Sequence, residues 1–435
     1  MTDVAIGLSG LGALFVLIAL RVPIAAALIG VSFVGIWFLM GWRVAWGSLG
    51  VIPYQFTANW VLSSIPMFLF LGFISFHTNL TRGLFQAARV WLSALPGGLA
   101  IAAIFGSAGF AAVSGSSIAC SAAMGRIAIP EMMKHKYHPE LATGTVAVAG
   151  TIGAMIPPSI ILILYGVIAQ VSIAQLFLGG ISAGILTAIG YIVVVLVRVK
   201  LNPDLAPSRD ASVGMAERLA ALKETWPILL VMVGIFGGLF SGIFTPTEAG
   251  AVGAFLACVV ATLSREMTLE RFLTAARETM TTTAALIAIA AGASLLTRFL
   301  ALSGAGDFLS DAIIAVGTQP VLLMLGIVLV YLVLGMFLEP IGAMLLTLPI
   351  ILPVVDEANW SLLWFGVVLT KLLEIGMITP PIGMNVFVIK GVVGDLVKTG
   401  AIFRGVMWFI VMDLLIVALL SAVPQLILYL PMTFG

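Results

Sequence analysis

The sequence has little charge and few of the side chains that carry out chemistry. Only 9% of its residues are charged and the formal net charge is +1, whereas a soluble domain carries about 25% charged residues. Its two cysteines, Cys120 and Cys258, lie far apart in sequence, which excludes a disulfide framework and a cysteine metal site. Three histidines without an H-E-x-x-H motif argue against a membrane-embedded metalloenzyme. The balanced charge argues against a nucleic-acid partner.

Hydrophobic residues make up 61% of the chain and form long uninterrupted runs. The runs at residues 4–20, 24–40, 228–244 and 406–420 approach or reach the roughly 20 residues that a helix needs to cross a lipid bilayer. A β-barrel would instead show short segments of alternating hydrophobicity. We therefore predict an all-α integral membrane protein. Because Met1-Thr2-Asp3 lacks the basic residues of a signal peptide, we expect the first helix to be retained.

Proline spacing indicates an internal duplication. The pairs Pro157-Pro158 and Pro380-Pro381 are separated by 223 residues, and the same offset pairs Pro23 with Pro246 and Pro130 with Pro353. Self-similarity at one fixed offset is typical of a repeated architecture. We predict repeats at residues 1–205 and 225–435, joined by a polar cytoplasmic linker at 206–224, where the only extended polar stretch occurs.

Loop charges predict that the two repeats have opposite orientations in the membrane. The loop Lys134-His135-Lys136 is basic, whereas the loop at the same offset contains Asp356 and Glu357. By the positive-inside rule the first loop is cytoplasmic and the second lies on the other face. An inverted repeat requires an odd number of crossings in each half. Both termini are then expected on the outer, periplasmic face.

Each half is predicted to contain five transmembrane helices and one re-entrant helical hairpin. In the first half, residues 4–20, 23–41, 57–78, 141–170 and 173–197 cross, residues 82–92 form an amphipathic piece, and Trp42, Arg43 and Trp46 lie in an outer loop. Residues 97–133 are interrupted at 114–117, so both ends of this piece meet the same face. The second hairpin covers 321–355, with its tip near 338–342.

The helix after each hairpin carries a matched break, at residues 150–159 and 374–381. Proline removes backbone donors, so carbonyl groups are freed inside the bilayer, where they are tolerated only beside protein or water. Inverted repeats with broken helices are typical of secondary transporters. Hydroxyls at Ser114, Ser116, Ser117 and Thr151 suit a hard cation such as sodium, and helix N-termini at a tip suit an anion. Alternatively, the serines are a packing surface and the prolines are kinks.

Several motifs resemble one family of membrane proteins. They are Gly115-Ser116-Ser117, Ile129-Pro130-Glu131-Met132, Ala149-Gly150-Thr151-Ile152-Gly153, Ile156-Pro157-Pro158-Ser159, Leu373-Glu374-Ile375-Gly376 and Thr379-Pro380-Pro381-Ile382-Gly383-Met384-Asn385. They look like the large membrane subunit of the TRAP transporters, the tripartite ATP-independent periplasmic transporters of the ion-transporter superfamily. The likeness runs through essentially the whole chain.

This resemblance implies uptake of an organic anion, driven by a sodium gradient, across the bacterial or archaeal cytoplasmic membrane. It implies an elevator movement of a transport part against a scaffold. The scaffold would comprise residues 1–92 and 225–316, and the transport parts would comprise 93–200 and 317–435. It also implies two partners, a small four-helix TRAP membrane subunit and a periplasmic substrate-binding protein.

The resemblance also implies positions for two sodium sites. The first would contain Ser114, Ser116, Ser117, Gly150, Thr151 and Gly153. The second would contain Glu339, Gly342, Gly376 and Thr379, and Glu339 departs from the aspartate expected there. Residues at the breaks facing the substrate would be Pro157, Pro158, Ser159, Pro380, Pro381 and Asn385. Glu374, an ionisable residue at membrane depth, is equally compatible with a coupling and a structural role.

The main alternative is a stand-alone sodium-coupled di- or tricarboxylate carrier of the same superfamily, which needs no binding protein. Neither an enzyme nor a channel is favoured, since the sequence shows neither convergent catalytic groups nor a pore-lining ring of charge. The sequence does not separate dicarboxylates, keto acids, sugar acids and sialic acid as the transported anion.

Overall fold

The computed structural model describes residues 2–207, 214–316 and 319–434, and within these ranges every regular element is helical. The first half contains α1 (Asp3–Ala19), α2 (Ile24–Met40), α3 (Trp42–Thr57), α4 (Ser64–His77), α5 (Arg82–Leu92), α6 (Gly98–Ser114), α7 (Ser117–Lys134), α8 (Pro139–Ala149), α9 (Ile160–Ala169) and α10 (Ile173–Leu201). Short 3-10 turns at Trp60–Ser63 and Gly150–Ala154 precede α4 and follow α8.

The second half has the same order of elements and one further helix at each end. It contains α11 (Met215–Lys223), α12 (Trp226–Phe240), α13 (Pro246–Leu263), α14 (Leu269–Ser303), α15 (Ala305–Val316), α16 (Pro320–Phe337), α17 (Pro340–Glu357), α18 (Leu362–Gly376), α19 (Met384–Val393), α20 (Thr399–Ala422) and α21 (Gln425–Phe434).

Many of these helices are long and apolar enough to span a membrane. By length and apolarity, seven of the described spans qualify, or eight if the bent pair α11 and α12 counts as one. Large apolar side chains such as Phe38, Val233 and Leu329 point outward and are 71%, 70% and 64% exposed. An outer surface of this kind belongs in lipid, so the chain is a multi-pass membrane protein.

Helix bounds in the two halves correspond at the 223-residue offset. α5 and α15 begin at Arg82 and Ala305, and α7 and α17 begin at Ser117 and Pro340, which is the same offset in both pairs. α14 is a single helix of 35 residues where the first half has α3, a 3-10 turn and α4. The repeated order of elements is therefore a property of the fold.

One predicted element is wrong in detail. Trp42, Arg43 and Trp46 were expected in a loop, but they form the start of helix α3. The crossing expected at 57–78 corresponds to the 3-10 turn and α4, which together qualify as a membrane span at Trp60–His77. The indoles of Trp42 and Trp46 pack edge-on against Phe33 of α2, which stabilises a helix there. Asn59 then caps the 3-10 turn by accepting the N–H of Val61 at 3.0 Å.

The expected linker is partly helical. Residues 215–223 of the stretch 206–224 form α11, which packs against α5, and the indole of Trp91 donates to the carbonyl of Arg218 at 3.2 Å. Residues 208–213, 317 and 318 and the terminal residues Met1 and Gly435 lie outside the described residues, so the boundary expected between 316 and 317 falls at the edge of a gap.

The helices pack in two groups. α2, α4, α12, α13 and α14 contact one another, and the hairpin helices α6, α7, α16 and α17 pack with the broken helices and with α10 and α20. α8, the 3-10 turn after it and α18 are buried along almost their whole length. The first break therefore lies in the interior of the second group, whereas the second break reaches the surface at Pro381 and Ile382, which are exposed.

Candidate functional site

The first hairpin turns at Gly115 and Ser116, which we call the first tip. Gly115 has φ of +62°, a backbone conformation that suits glycine, and its Cα faces the carbonyl of Pro158. A Cβ at Gly115 would lie 2.3 Å from that oxygen. Ser116 caps α7 by accepting the N–H of Ala119 at 3.4 Å. The first tip is thus seated directly on the first break.

The first break comprises residues 150–159 and faces the same hairpin. A Cβ at Gly150 would lie 1.8 Å from the hydroxyl oxygen of Ser121, and one at Gly153 would lie 2.9 Å from the carbonyl oxygen of Ser116. Both glycines therefore allow close approach of α7. Ser159 caps α9 by accepting the N–H of Leu162 at 3.3 Å. The Pro157-Pro158 peptide bond is cis, as is Pro380-Pro381.

Glu374, at the end of α18, is fully buried and reaches across to the first hairpin. Its Oε1 accepts a hydrogen bond from the hydroxyl of Ser117 at 3.1 Å, and its Oε2 has no partner among the described residues. The hydroxyls of Ser114 and Ser121 and the side-chain oxygen of Asn385 are also buried and have no hydrogen-bond partner in the described part of the chain. Burying a carboxylate is costly unless a cation compensates it. The orphaned oxygens are the ligand type that sodium prefers.

Thr151, expected in the first sodium site, belongs to a different network. Its hydroxyl lies 2.7 Å from the carbonyl oxygen of Val148 and 3.0 Å from the hydroxyl of Tyr191. Tyr191 donates to Oδ2 of Asp413 at 2.9 Å, and Nζ of Lys371 lies 2.5 Å from Oδ1. Neither Asp413 nor Tyr191 was predicted as a site residue from the sequence. For Asp413 the sequence did contain a signal, because an aspartate stands within the apolar run of α20.

The second hairpin turns at Leu338 and Glu339, which we call the second tip. Glu339 precedes α17, and its side chain faces a cavity that Met377 also lines. Gly342 points elsewhere, since a Cβ there would lie 2.9 Å from Ile24 of α2. The structure therefore places Glu339 near the end of α18 but turns Gly342 toward α2.

The second break, expected at residues 374–381, comprises residues 377–383 between α18 and α19. Gly376, just before it, packs against Gly335 of α16, and Thr379 donates its hydroxyl to the carbonyl of Ile375 at 2.6 Å. Asn385, just after it, is fully buried and its amide nitrogen lies 3.5 Å from the carbonyl oxygen of Ala147 in α8. Asn385 and Glu374 thus both connect the second half to the first.

A cavity of about 400 Å³, which we call the central cavity, lies between the two tips and helices α4 and α14. The first residues of three helices line it: Ser117, Ile118 and Ala119 of α7, Ile160 and Ile161 of α9, and Pro340 and Ile341 of α17. The first N–H groups of a helix lack partners within the helix and favour anions. Glu278 and Glu339 also line the cavity, and none of its described lining residues is a lysine or arginine.

Residues 11–426 match the family model described as the tripartite ATP-independent periplasmic transporter, DctM component. The chain is 33% identical over 391 residues to the C4-dicarboxylate TRAP transporter large permease protein DctM of Pseudomonas aeruginosa, covering 89% of this chain and 90% of that protein. It is 33% identical over 377 residues to the sialic acid TRAP transporter large permease protein SiaM of Vibrio cholerae, covering 86% and 87%.

The fold is similar to that of a solved membrane transporter. The crystal structure of the Alcanivorax borkumensis YdaH transporter, described as having an unusual topology, superposes with a TM-score of 0.61 over 88% of this chain and 89% of that one. Sequence identity is 15%, so the likeness concerns the fold alone.

Proposed function

The chain belongs to the DctM family, the large permease component of the tripartite ATP-independent periplasmic transporters, and we propose that it carries an organic anion through the central cavity, driven by a sodium gradient. The observation that carries this proposal is the central cavity itself. Three helix N-termini line it, and Ser117 in its wall donates a hydrogen bond to the buried carboxylate of Glu374, whose second oxygen has no hydrogen-bond partner among the described residues.

The N-terminal amides supply the attraction for an anion. Ser117 and Ile118 of α7, Ile160 of α9 and Ile341 of α17 are first-turn residues, whose N–H groups have no carbonyl partner within their own helix. Their dipoles favour negative charge at the same place. Relatives named for C4-dicarboxylates and sialic acid share carboxylate chemistry, and a carboxylate is the group that such donors recognise.

The carboxylates at the cavity explain why a cation would have to enter with the anion. Glu278 and Glu339 line the central cavity, so an incoming carboxylate meets negative charge of its own sign. Bound sodium would supply compensating positive charge. Glu374, Ser117 and Ser121 near Gly150 would hold it on one side. On the other side, Glu339 and the backbone around Gly376 and Thr379 would do so.

The remaining features of the proposal concern the whole transporter. The repeats 1–205 and 225–435 are inverted, both termini are periplasmic and the protein lies in the cytoplasmic membrane. The hairpins and broken helices move as an elevator against α2, α4, α13 and α14, since the central cavity lies between these two groups. A small membrane subunit and a periplasmic binding protein complete the transporter, as the tripartite family description implies.

Reconstitution tests this function. The chain, its small subunit and its binding protein are placed in liposomes, and uptake of labelled succinate and sialic acid is measured with an inward sodium gradient. We expect uptake of one of these anions only when sodium and the binding protein are both present. Replacing sodium by potassium is the control, because it preserves ionic strength.

Uptake that is independent of sodium would contradict the coupling mechanism. Uptake by the chain alone, with no effect of the binding protein, would instead favour the stand-alone carboxylate carrier. The two results separate the two candidate functions.

A further inference from the structure

Three cavities follow one another from the central cavity along α4 and α7. Phe76 lines both the central cavity and a smaller one of about 160 Å³, the middle cavity. Asn79 and Arg126 line both the middle cavity and a third one of about 340 Å³, which we call the exit cavity. Adjacent cavities share these lining residues, so the three form a row, which we call the route, from the two tips toward the ends of α4 and α7.

The charge of the side chains that line this route changes sign along its length. The central cavity is lined by two carboxylates, whereas the exit cavity is lined by three arginines, Arg82, Arg89 and Arg126, and one carboxylate, Glu131. The net charge of the lining side chains therefore changes from negative to positive along the route. An anion moving along it would meet increasing attraction.

Two of the three arginines are left without a carboxylate partner. Arg89 forms a hydrogen-bonded ion pair with Glu131, which neutralises it. Arg126 lies over the ring of Phe76, 5.5 Å from its centroid, and no carboxylate pairs with Arg126 or Arg82 among the described residues. His77 of the middle cavity is bonded to Glu278 at 2.8 Å, so this pair separates the acidic and basic parts of the route.

We propose that the exit cavity is a second anion site, in which Arg82 and Arg126 bind the carboxylate of the transported anion as it leaves the central cavity. α7 ends at Lys134, the first residue of the basic loop that the positive-inside rule assigns to the cytoplasm. The unpaired guanidinium groups are forked donors that match a carboxylate. The inference rests on the proposed function, because it takes the transported molecule to be a carboxylate.

A thiol-labelling experiment tests the site without requiring transport. Gln86, which lines the exit cavity, is changed to cysteine in the complete transporter carrying Cys120→Ala and Cys258→Ala. Its reaction rates with an anionic and a cationic thiosulfonate reagent are compared. We expect the anionic reagent to be favoured and succinate or sialic acid to slow its reaction. Arg126→Gln should lower the preference about fivefold, the effect of one charge at short range in water.

Arg404→Gln is the matched control, since Arg404 is paired with Glu140 and does not line the exit cavity. Arg126→Lys should retain the preference for the anionic reagent. A preference that is unchanged by Arg82→Gln and Arg126→Gln, with protection by neither anion, would overturn the proposal. Protection that appears only in vesicles containing phosphatidylglycerol would assign the arginines to a lipid headgroup and would also overturn it.

Transport by the same variants separates this inference from the proposed function. We expect Arg126→Gln to raise the half-saturating anion concentration about fivefold on the exit side and to leave sodium dependence unchanged. Wild-type vesicles without sodium-driven uptake would contradict the proposed function. Wild-type uptake with unaltered exit-side half-saturation in the variants would contradict only the exit site.

Discussion

At the scale of single residues, Glu374 is the side chain whose environment is least complete. It is fully buried, it has one hydrogen-bond donor in Ser117, and one of its oxygens has no partner among the described residues. A purely structural carboxylate at this depth would be expected to have its lone pairs satisfied. The incomplete environment favours a coupling role over a structural one.

Glu374→Gln tests that role. The amide keeps the shape and the hydrogen bond to Ser117 but removes the charge, so we expect the sodium concentration for half-maximal uptake to rise about tenfold or more. The thermal unfolding midpoint should not fall, because a neutral group costs less to bury. Glu270→Gln, at an exposed residue in the first turn of α14, is the control. Unchanged sodium dependence in Glu374→Gln would remove this residue from the sodium site.

The buried side chains of Lys371 and Asp413, unlike that of Glu374, are paired with each other. Both side chains are 1% exposed, yet each has its partner, and Tyr191 supplies a second donor to Asp413. This satisfied network ties together α18, α20, α10 and, through Thr151, the first break. We therefore assign it to holding these helices in register, and Thr151 with it.

At the scale of elements, the close contact of α16 and α18 lies next to Glu374. A Cβ at Gly335 would lie 2.8 Å from the Cα of Gly376, so Gly335→Ala should push the helices apart. We expect a loss of about 1–3 kcal/mol in the free energy of unfolding, typical of overpacking, and weaker sodium-driven uptake. The measurements are thermal unfolding in detergent and uptake in liposomes.

Gly326 provides the matched control in the same helix. A Cβ there meets no atom of the described residues within 4 Å, so Gly326→Ala should preserve both stability and uptake. If Gly335→Ala showed the same stability and uptake as Gly326→Ala, the close approach of the two helices would not matter for either property.

Much of the order of the helices could be predicted because the residues that end or interrupt helices act through local effects. Residues 82–92 were expected as an amphipathic piece and form α5, and the interruption at 114–117 is the turn between α6 and α7. The helix α3 was not predicted, because tryptophans flanked by glycines are typical of an interfacial loop. In the structure, contacts of these tryptophans with Phe33 stabilise a helix. The hydrogen bond between Ser117 and Glu374 joins residues 257 positions apart, and local patterns carry no information about such contacts.

At the scale of the whole molecule, the charge distribution gives the route a direction. The acidic central cavity would accept an anion only with a cation, and the basic exit cavity would bind it afterwards. A cation-dependent entry followed by an attractive exit is compatible with uptake driven by a sodium gradient. For uptake, the exit cavity must face the cytoplasm, and the orientation of the repeats determines whether it does.

Single-cysteine labelling measures that orientation. Lys134 and Glu357 are the last residues of α7 and α17, both are exposed, and they are equivalent at the 223-residue offset. If the repeats are inverted, Lys134→Cys should react with a membrane-impermeant maleimide from the cytoplasmic face only and Glu357→Cys from the periplasmic face only. Both variants carry Cys120→Ala and Cys258→Ala. Arg82→Cys, at the exit cavity, is the control and should react from the same face as Lys134→Cys. Reaction of Lys134→Cys and Glu357→Cys from one common face would rule out the inverted arrangement, since equivalent helix ends would then share a side of the membrane.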